Sequence, residues 1–240
     1  MSSERSSTIG QQRKFNYALK PMSKEQFVEM MCCDLPEAPA YFSAAVEKNK
    51  QGATALKELP KPEGLSCQRV EKETKDGVLV LDVRSGAQFG DGHIAGSMNL
   101  GLGGQFASWA GSLIPIGTRI ILVTEDDAVI DEAVMRLARA GHESVIGYLA
   151  GGMSSWEKAG LPIVKTAQIS ADELKQRLST QKELQVIDVR RPREYEGGHV
   201  PGAINIPLNE LRRNLDKVEK TGQQRLSAPV VIAAVPQHAF

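Results

Sequence analysis

The chain has 240 residues, room for one or two domains, and 41% of them are hydrophobic, enough for a packed core. Its 29 basic residues balance 29 acidic ones, which leaves no electrostatic footprint for nucleic acid or for an anionic membrane surface. No apolar run approaches the ~20 residues that span a bilayer, and Met1-Ser2-Ser3-Glu4-Arg5 lacks the apolar stretch of a signal peptide. The expectation is a soluble, cytoplasmic protein.

Residues 1–63 read as a helical segment. Ser23-Lys24-Glu25-Gln26 has the spacing of a capping box and predicts a helix start, with Phe27, Met30 and Met31 on its apolar face. Pro36 and Pro39 end it and open a second helix through Tyr41, Phe42 and Val46. So short a piece cannot bury much surface alone and is expected to pack on something else. Lys57 to Gly64, with Pro60 and Pro62, reads as a linker. The odd cysteine count, Cys32, Cys33 and Cys67, argues against a disulfide scaffold. Cys32 and Cys33 read as small buried hydrophobes within the first helix, and Cys67 as a linker residue. His93, His142, His199 and His238 do not pair at ligand spacing, so no metal and no cofactor are expected.

An internal repeat organises the rest. Leu81-Asp82-Val83-Arg84 through Gly92-His93-Ile94-Ala95-Gly96-Ser97-Met98-Asn99 recurs as Ile187-Asp188-Val189-Arg190 through Gly198-His199-Val200-Pro201-Gly202-Ala203-Ile204-Asn205. Asp, Val, Arg, Gly, His, Gly and Asn return at one constant offset, which marks two copies of one supersecondary unit. Each copy opens on a β-rich run, Val78–Leu81 and Leu184–Ile187, and continuous apolar runs favour a parallel sheet covered on both faces. In the first copy a strand at Arg119–Val123, a helix from Ala128 to Ala140 stopped by Gly141, a strand at Ser144–Leu149 and a helix through Met153 and Trp156 complete a doubly wound α/β pattern. In the second copy Ser170 and Glu173 predict a capped helix stapled by Ile169 and Leu174, and Pro229–Ala234 predicts a strand. No counterpart of the later helix and strand follows, so this copy reads as incomplete, the ending a frameshift or early stop would give.

These residues resemble the rhodanese family. The Asp-Val-Arg strand end, the Gly-His turn and Tyr148-Leu149-Ala150-Gly151-Gly152-Met153-Ser154-Ser155-Trp156 look like its signatures, over roughly residues 65–240. Thr8-Ile9-Gly10 and Lys14-Phe15-Asn16-Tyr17-Ala18-Leu19 are similar to the C-terminal end of persulfide dioxygenase-like metallo-β-lactamase domains. Together they look like the later part of a lactamase–rhodanese fusion from sulfide and persulfide metabolism. The implied organisation is 1–63 from the lactamase-like end, 64–165 as a first rhodanese-like domain and 166–240 as a second. The fold class implied is α/β, with one complete parallel doubly wound unit and one incomplete one.

The chain departs from both families. The lactamase-like family holds iron or zinc with a His-x-His-x-Asp-His cluster, which this sequence lacks. Rhodaneses carry sulfur on a cysteine just after the second strand, where backbone N–H groups and a helix dipole stabilise thiolate. Here the loop reads Thr124-Glu125-Asp126-Asp127-Ala128-Val129. Threonine lacks the polarisability to carry sulfane sulfur, and one of Asp126 and Asp127 is expected to cap the following helix. In the second copy the cysteine is expected near Ala234 or Val235, and neither is one. Asp82 and Asp188 are expected to accept backbone N–H groups, Arg84 and Arg190 to pair with nearby carboxylates (Glu194 in the second copy), and His93 and His199 to bond backbone in their turns. Trp109 and Trp156 are expected to fill core or interface space.

No catalytic residue is therefore expected, and the leading reading is a silent rhodanese-like protein. The alternatives are an active thiosulfate or persulfide sulfurtransferase that uses Cys32, Cys33 or Cys67, and an interaction module that binds a protein partner or a second copy.

Overall fold

In the computed structural model the described residues are 6–33, 41–52, 58, 61–181, 184–211, 213–214 and 230–233. The chain divides into compact units Met1–Pro39 and Ala40–Phe240.

The first unit holds α1 (Ile9–Phe15), a 3-10 turn at Tyr17–Leu19 and α2 (Lys24–Cys32). The Ser23 box forms as expected, Ser23 Oγ accepting from the Gln26 amide and Gln26 Oε1 from the Ser23 amide. Thr8 and Gln11 make a second box that starts α1, a helix the sequence reading passed over. Neither helix buries a residue. Cys32 and Cys33 are therefore exposed rather than buried, because these short helices have no core to place them in. The Pro36–Pro39 turn lies outside the described residues.

The second unit begins with α3 (Phe42–Gln51) and then builds a five-stranded sheet. Its strands are β1 (Glu63–Leu65), β2 (Leu79–Asp82), β3 (Met98–Asn99), β4 (Ile120–Val123) and β5 (Val145–Leu149), in the order β1-β5-β4-β2-β3 with every pairing parallel. Glu63 and Gly64 are strand residues, not linker. Gly64 lies close under Tyr148, where a Cβ would meet the tyrosine hydroxyl at 3.2 Å and the ring would have to yield. Period-two alternation divides the strands between two faces. Leu81, Ile120 and Leu122 pack with Phe106 and Ala110 of α6 (Phe106–Leu113) and with Ile130, Ala133 and Leu137 of α7 (Ile130–Arg139). Val78, Val80, Ile121 and Val123 pack with Cys67 and Val70 of α4 (Cys67–Lys75) and with Met153 and Trp156 of α8 (Gly152–Lys158). Cys67, read as a linker residue, is thus a core residue at 8% exposure. Gly141 takes φ +90 and ends α7 as expected.

His142 follows that stop and is 1% exposed. Its Nε2 lies 3.2 Å from the Ala110 carbonyl, while Nδ1 is buried with no partner among the described residues. Burial pushes the imidazole below its ordinary value, outweighing the opposing effect of the Ala110 hydrogen bond. The unfolded chain accepts a proton near pH ~6.5 that the folded protein resists, so this contribution to stability is full above that pH and declines as pH falls below it. Thermal midpoints should fall between about pH 7.5 and about pH 5.5, and the fall should be shallower in His142→Gln, which retains a donor for Ala110.

The repeat's second copy has α9 (Ala171–Thr180), β6 (Gln185–Asp188), α10 (Pro192–Glu196), β7 (Ile204–Asn205), α11 (Leu208–Leu211) and β8 (Val230–Ala233). Its sheet, β7-β6-β8, is parallel and reproduces the β3-β2-β4 centre of the first. Ser170 Oγ caps α9 through the Glu173 amide at 3.1 Å, and Ile169 packs against the Leu174 cluster. That cluster is small among the described residues: Leu174, Leu184, Val186, Val200 and Ala203, with Ile169, Leu178 and Tyr195 beside it. The connection from Val164 to Gln168 is held by bonds from the Thr166 amide to Gly90 and from Gln168 Nε2 to Gly86. Each buried aliphatic side chain contributes roughly 1.5–3 kcal/mol, and the two described clusters of the first copy hold more of them than this one. Limited trypsin digestion should cut beyond Gln168, at Lys175 or Arg177, while a fragment containing both large clusters survives.

Candidate functional site

Parallel strands bring their C-terminal ends to one edge, the usual place for ligands in such sheets. There the ends of β2, β4 and β5 gather Asp82, Arg84, Thr124 and the Gly151-Gly152 turn.

Asp82 ends β2 at 1% exposure. In the bend that follows β2, Arg84 turns its guanidinium back onto the Asp82 carboxylate, Nε to Oδ1 at 3.0 Å and Nη2 to Oδ2 at 2.6 Å. The Arg84 amide gives Oδ1 a further bond at 3.0 Å. Arg84 Nη2 also reaches the Gly92 carbonyl at 2.8 Å, and Asn99 Nδ2 donates to the carbonyls of Asp82 and Arg84 at 3.0 Å each. His93 stacks on Phe89 at 3.7 Å and places Nδ1 2.8 Å from the Phe89 carbonyl.

The second copy repeats this brace. Arg190 Nη2 meets Asp188 Oδ2 at 2.6 Å and the Gly198 carbonyl at 2.8 Å. Asn205 ties the carbonyls of Asp188 and Arg190, and His199 Nδ1 lies 2.9 Å from the Tyr195 carbonyl. Burial raises the Asp188 pKa, but hydrogen bonds from the Arg190 side chain and amide, with the Arg190 and His199 charges, outweigh it and hold the carboxyl below the aspartate range. The bond to Asp188 pushes Arg190 higher still. The expected partner Glu194 is taken instead by the Arg191 amide at 3.2 Å. The residues that recur between the copies therefore join a strand end, a turn and an edge strand. Asn99 and Asn205 belong to this brace, a role the sequence reading did not assign.

Thr124 follows β4 at 2% exposure, and its Oγ1 is buried without a hydrogen-bond partner among the described residues. The Gly151-Gly152 turn presses on its backbone: a Cβ on Gly152, where φ is +58, would fall 2.7 Å from the Thr124 carbonyl oxygen. Asp126 Oδ1 accepts from the Ala128 amide at 2.9 Å and caps a 3-10 turn over Asp127–Val129. This divides the predicted Ala128–Ala140 helix into that turn and α7. Glu125 is exposed, with Oε2 3.9 Å from Arg84 Nη1, and Asp127 is exposed as well. The loop thus offers a buried hydroxyl followed by three exposed acidic residues, and no thiol. The position near Ala234 and Val235 lies outside the described residues.

Cys67 Sγ lies 3.5 Å from Ser155 Oγ on α8, packed in the core. Among the described residues, no three His, Cys, Asp or Glu side chains gather as a metal would need. The iron or zinc of the lactamase-like family has no matching donor set there. No helix among the described residues is long and apolar enough to cross a membrane.

The rhodanese-like domain model matches residues 66–159 and again 170–233, well over half of the sequence, and the chain belongs to that family. Mouse 3-mercaptopyruvate sulfurtransferase is 29% identical over 150 residues, 50% of this chain and 50% of that protein. The Bacillus subtilis protein YqhL is 49% identical over 37 residues, 15% of this chain and 29% of that protein. The chain thus spans half or less of the length of these curated relatives. A solved metallo-beta-lactamase from Staphylococcus aureus is alike in fold at a TM-score of 0.50 and 23% identity, over 60% of this chain and 40% of that one.

Proposed function

We propose that this chain is a catalytically silent member of a sulfur-transfer family, descended from a protein of sulfide and persulfide metabolism. The observation that carries this is the loop after β4. Thr124 stands where a thiol is needed, its hydroxyl is buried with no hydrogen-bond partner among the described residues, and the exposed Glu125, Asp126 and Asp127 follow it in the chain. A sulfane-sulfur donor such as thiosulfate is anionic, and a like charge at the entrance disfavours its approach. Asp126 already holds the Ala128 amide, one of the donors such an anion would use.

The organisation that accompanies this reading is a helical segment over 1–63, a first rhodanese unit over 64–165 and a second over 166–240. The likeness of residues 8–19 to the end of lactamase-like domains supports a fusion ancestry. A second reading, an interaction module for a protein partner or another copy, is favoured by the exposure of Ile9, Phe15, Tyr17 and Leu19.

Titration with thiosulfate, followed by amide resonances, tests the silent-loop reading. Residues 124–129 should stay unperturbed at millimolar thiosulfate. Saturable shifts centred on that loop would overturn it.

A further inference from the structure

Four consecutive residues, Met30-Met31-Cys32-Cys33, carry sulfur, and all of them face solvent. This inverts the usual placement. Methionine normally fills core gaps, and free cysteine is among the most buried residue types. Here Met30 is 36% exposed and Met31 40%, and both thiols are free and exposed.

Three physical features bear on what such a cluster holds. Adjacent Cα atoms are ~3.8 Å apart, closer than the ~4.4–6.8 Å that an unstrained disulfide takes. The pair therefore persists as two thiols rather than closing on itself. Cys32 is the last residue of α2 and Cys33 its C-cap, so both stand at the negative pole of a nine-residue helix. The last turn of α2 has no basic residue to neutralise that pole, and Glu29 lies one turn back, three residues before Cys32 and four before Cys33. The negative pole draws a cation toward the site but opposes loss of the thiol protons, so affinity has to come from the softness of the donors. Met30, three residues before Cys33, adds a thioether on the side toward which helical side chains lean.

We propose that Cys32 and Cys33 bind one soft monovalent d10 cation of the copper(I) type, with Met30 as a third donor. Thiolate and thioether donors select copper(I), whereas structural zinc takes four ligands from a Cys, His and carboxylate set. The absence of His/Cys/carboxylate clusters in the sequence bears on zinc and iron and leaves this sulfur site open. On binding, two Cu–thiolate bonds and one Cu–thioether bond form, and the two thiol protons leave to solvent. Copper stays copper(I), and the site gains one negative charge overall. Affinity therefore falls with acidification.

The test is an anaerobic titration of the full chain with copper(I) against bicinchoninate as competitor. One copper(I) per chain is expected, with a thiolate-to-copper charge-transfer band. Cys32→Ser and Cys33→Ser should each weaken binding by at least roughly 100-fold, the upper end of what loss of a partner behind a metal ligand costs, and Met30→Leu by about tenfold. Cys67→Ser should leave it unchanged. The Ser variants act on an exposed helix end, and unchanged far-ultraviolet dichroism would confirm that they fold. Full affinity in Cys32→Ser or Cys33→Ser, or zinc(II) competing on equal terms with copper(I), would overturn the proposal. An unchanged affinity in Met30→Leu would remove the methionine from it.

Discussion

Arg84→Ala should cost the first rhodanese unit about 3–5 kcal/mol, the scale for breaking a buried ion pair by removing one partner. The variant leaves the Asp82 carboxylate buried with only its amide donor, and it frees the Gly92 carbonyl as well. Urea unfolding followed by tryptophan fluorescence reports this unit, because Trp109 and Trp156 both lie in it. The double variant Asp82→Asn with Arg84→Met should recover much of the loss, since what destabilises is the orphaned charge and not the missing attraction. In the second copy Arg190→Ala should cost less. The Arg190 side chain is 11% exposed against 5% for Arg84, so water compensates more of the loss. A loss under ~1 kcal/mol for Arg84→Ala would mean that the brace is an ordinary surface pair.

Gly152→Ala should be comparably harmful for an unrelated reason. The left-handed backbone at φ +58 costs a residue with a Cβ about 1–2 kcal/mol, and the 2.7 Å approach to the Thr124 carbonyl adds an overpacking cost of about 1–3 kcal/mol. The sum, roughly 2–5 kcal/mol, should appear in the same urea midpoint. Gly151→Ala is the control. Its φ is +73, but its nearest neighbour is the Ser155 side chain at 3.1 Å rather than a backbone oxygen, so its loss should be smaller. Equal losses would show that the turn's conformation, and not its seat against the loop, sets the cost.

Much of the fold was legible because its signals are periodic. The apolar runs before Asp82 and Asp188 and the stripe of Ile130, Val134 and Leu137 place strands and helix to within a residue or two. Helix α4 was hidden because Cys67-Gln68-Arg69-Val70-Glu71-Lys72-Glu73-Thr74-Lys75 is mostly polar. It is anchored by Val70 at 0% exposure and by Glu73, which bridges Arg69 and Arg119. Strand β3 is two residues long, too short for any pattern. The loop position of Thr124 was legible because it directly follows an unbroken apolar strand. The partner of Arg190 was placed on Glu194 although the signal for Asp188 was present, since the Asp-Val-Arg strand end that recurs in both copies sets the carboxylate two residues before the guanidinium. The burial expected for Cys32 and Cys33 failed because a residue-type preference assumes a core to enter, and α2 has none.

Sulfur transfer from thiosulfate to cyanide, measured as thiocyanate formed by the full chain, tests the central claim most directly. The account predicts the rate of the protein-free buffer for the wild type and for Cys32→Ser, Cys33→Ser and Cys67→Ser alike. Wild-type turnover above that rate, abolished by one of these substitutions, would contradict it and identify the cysteine that carries the sulfur.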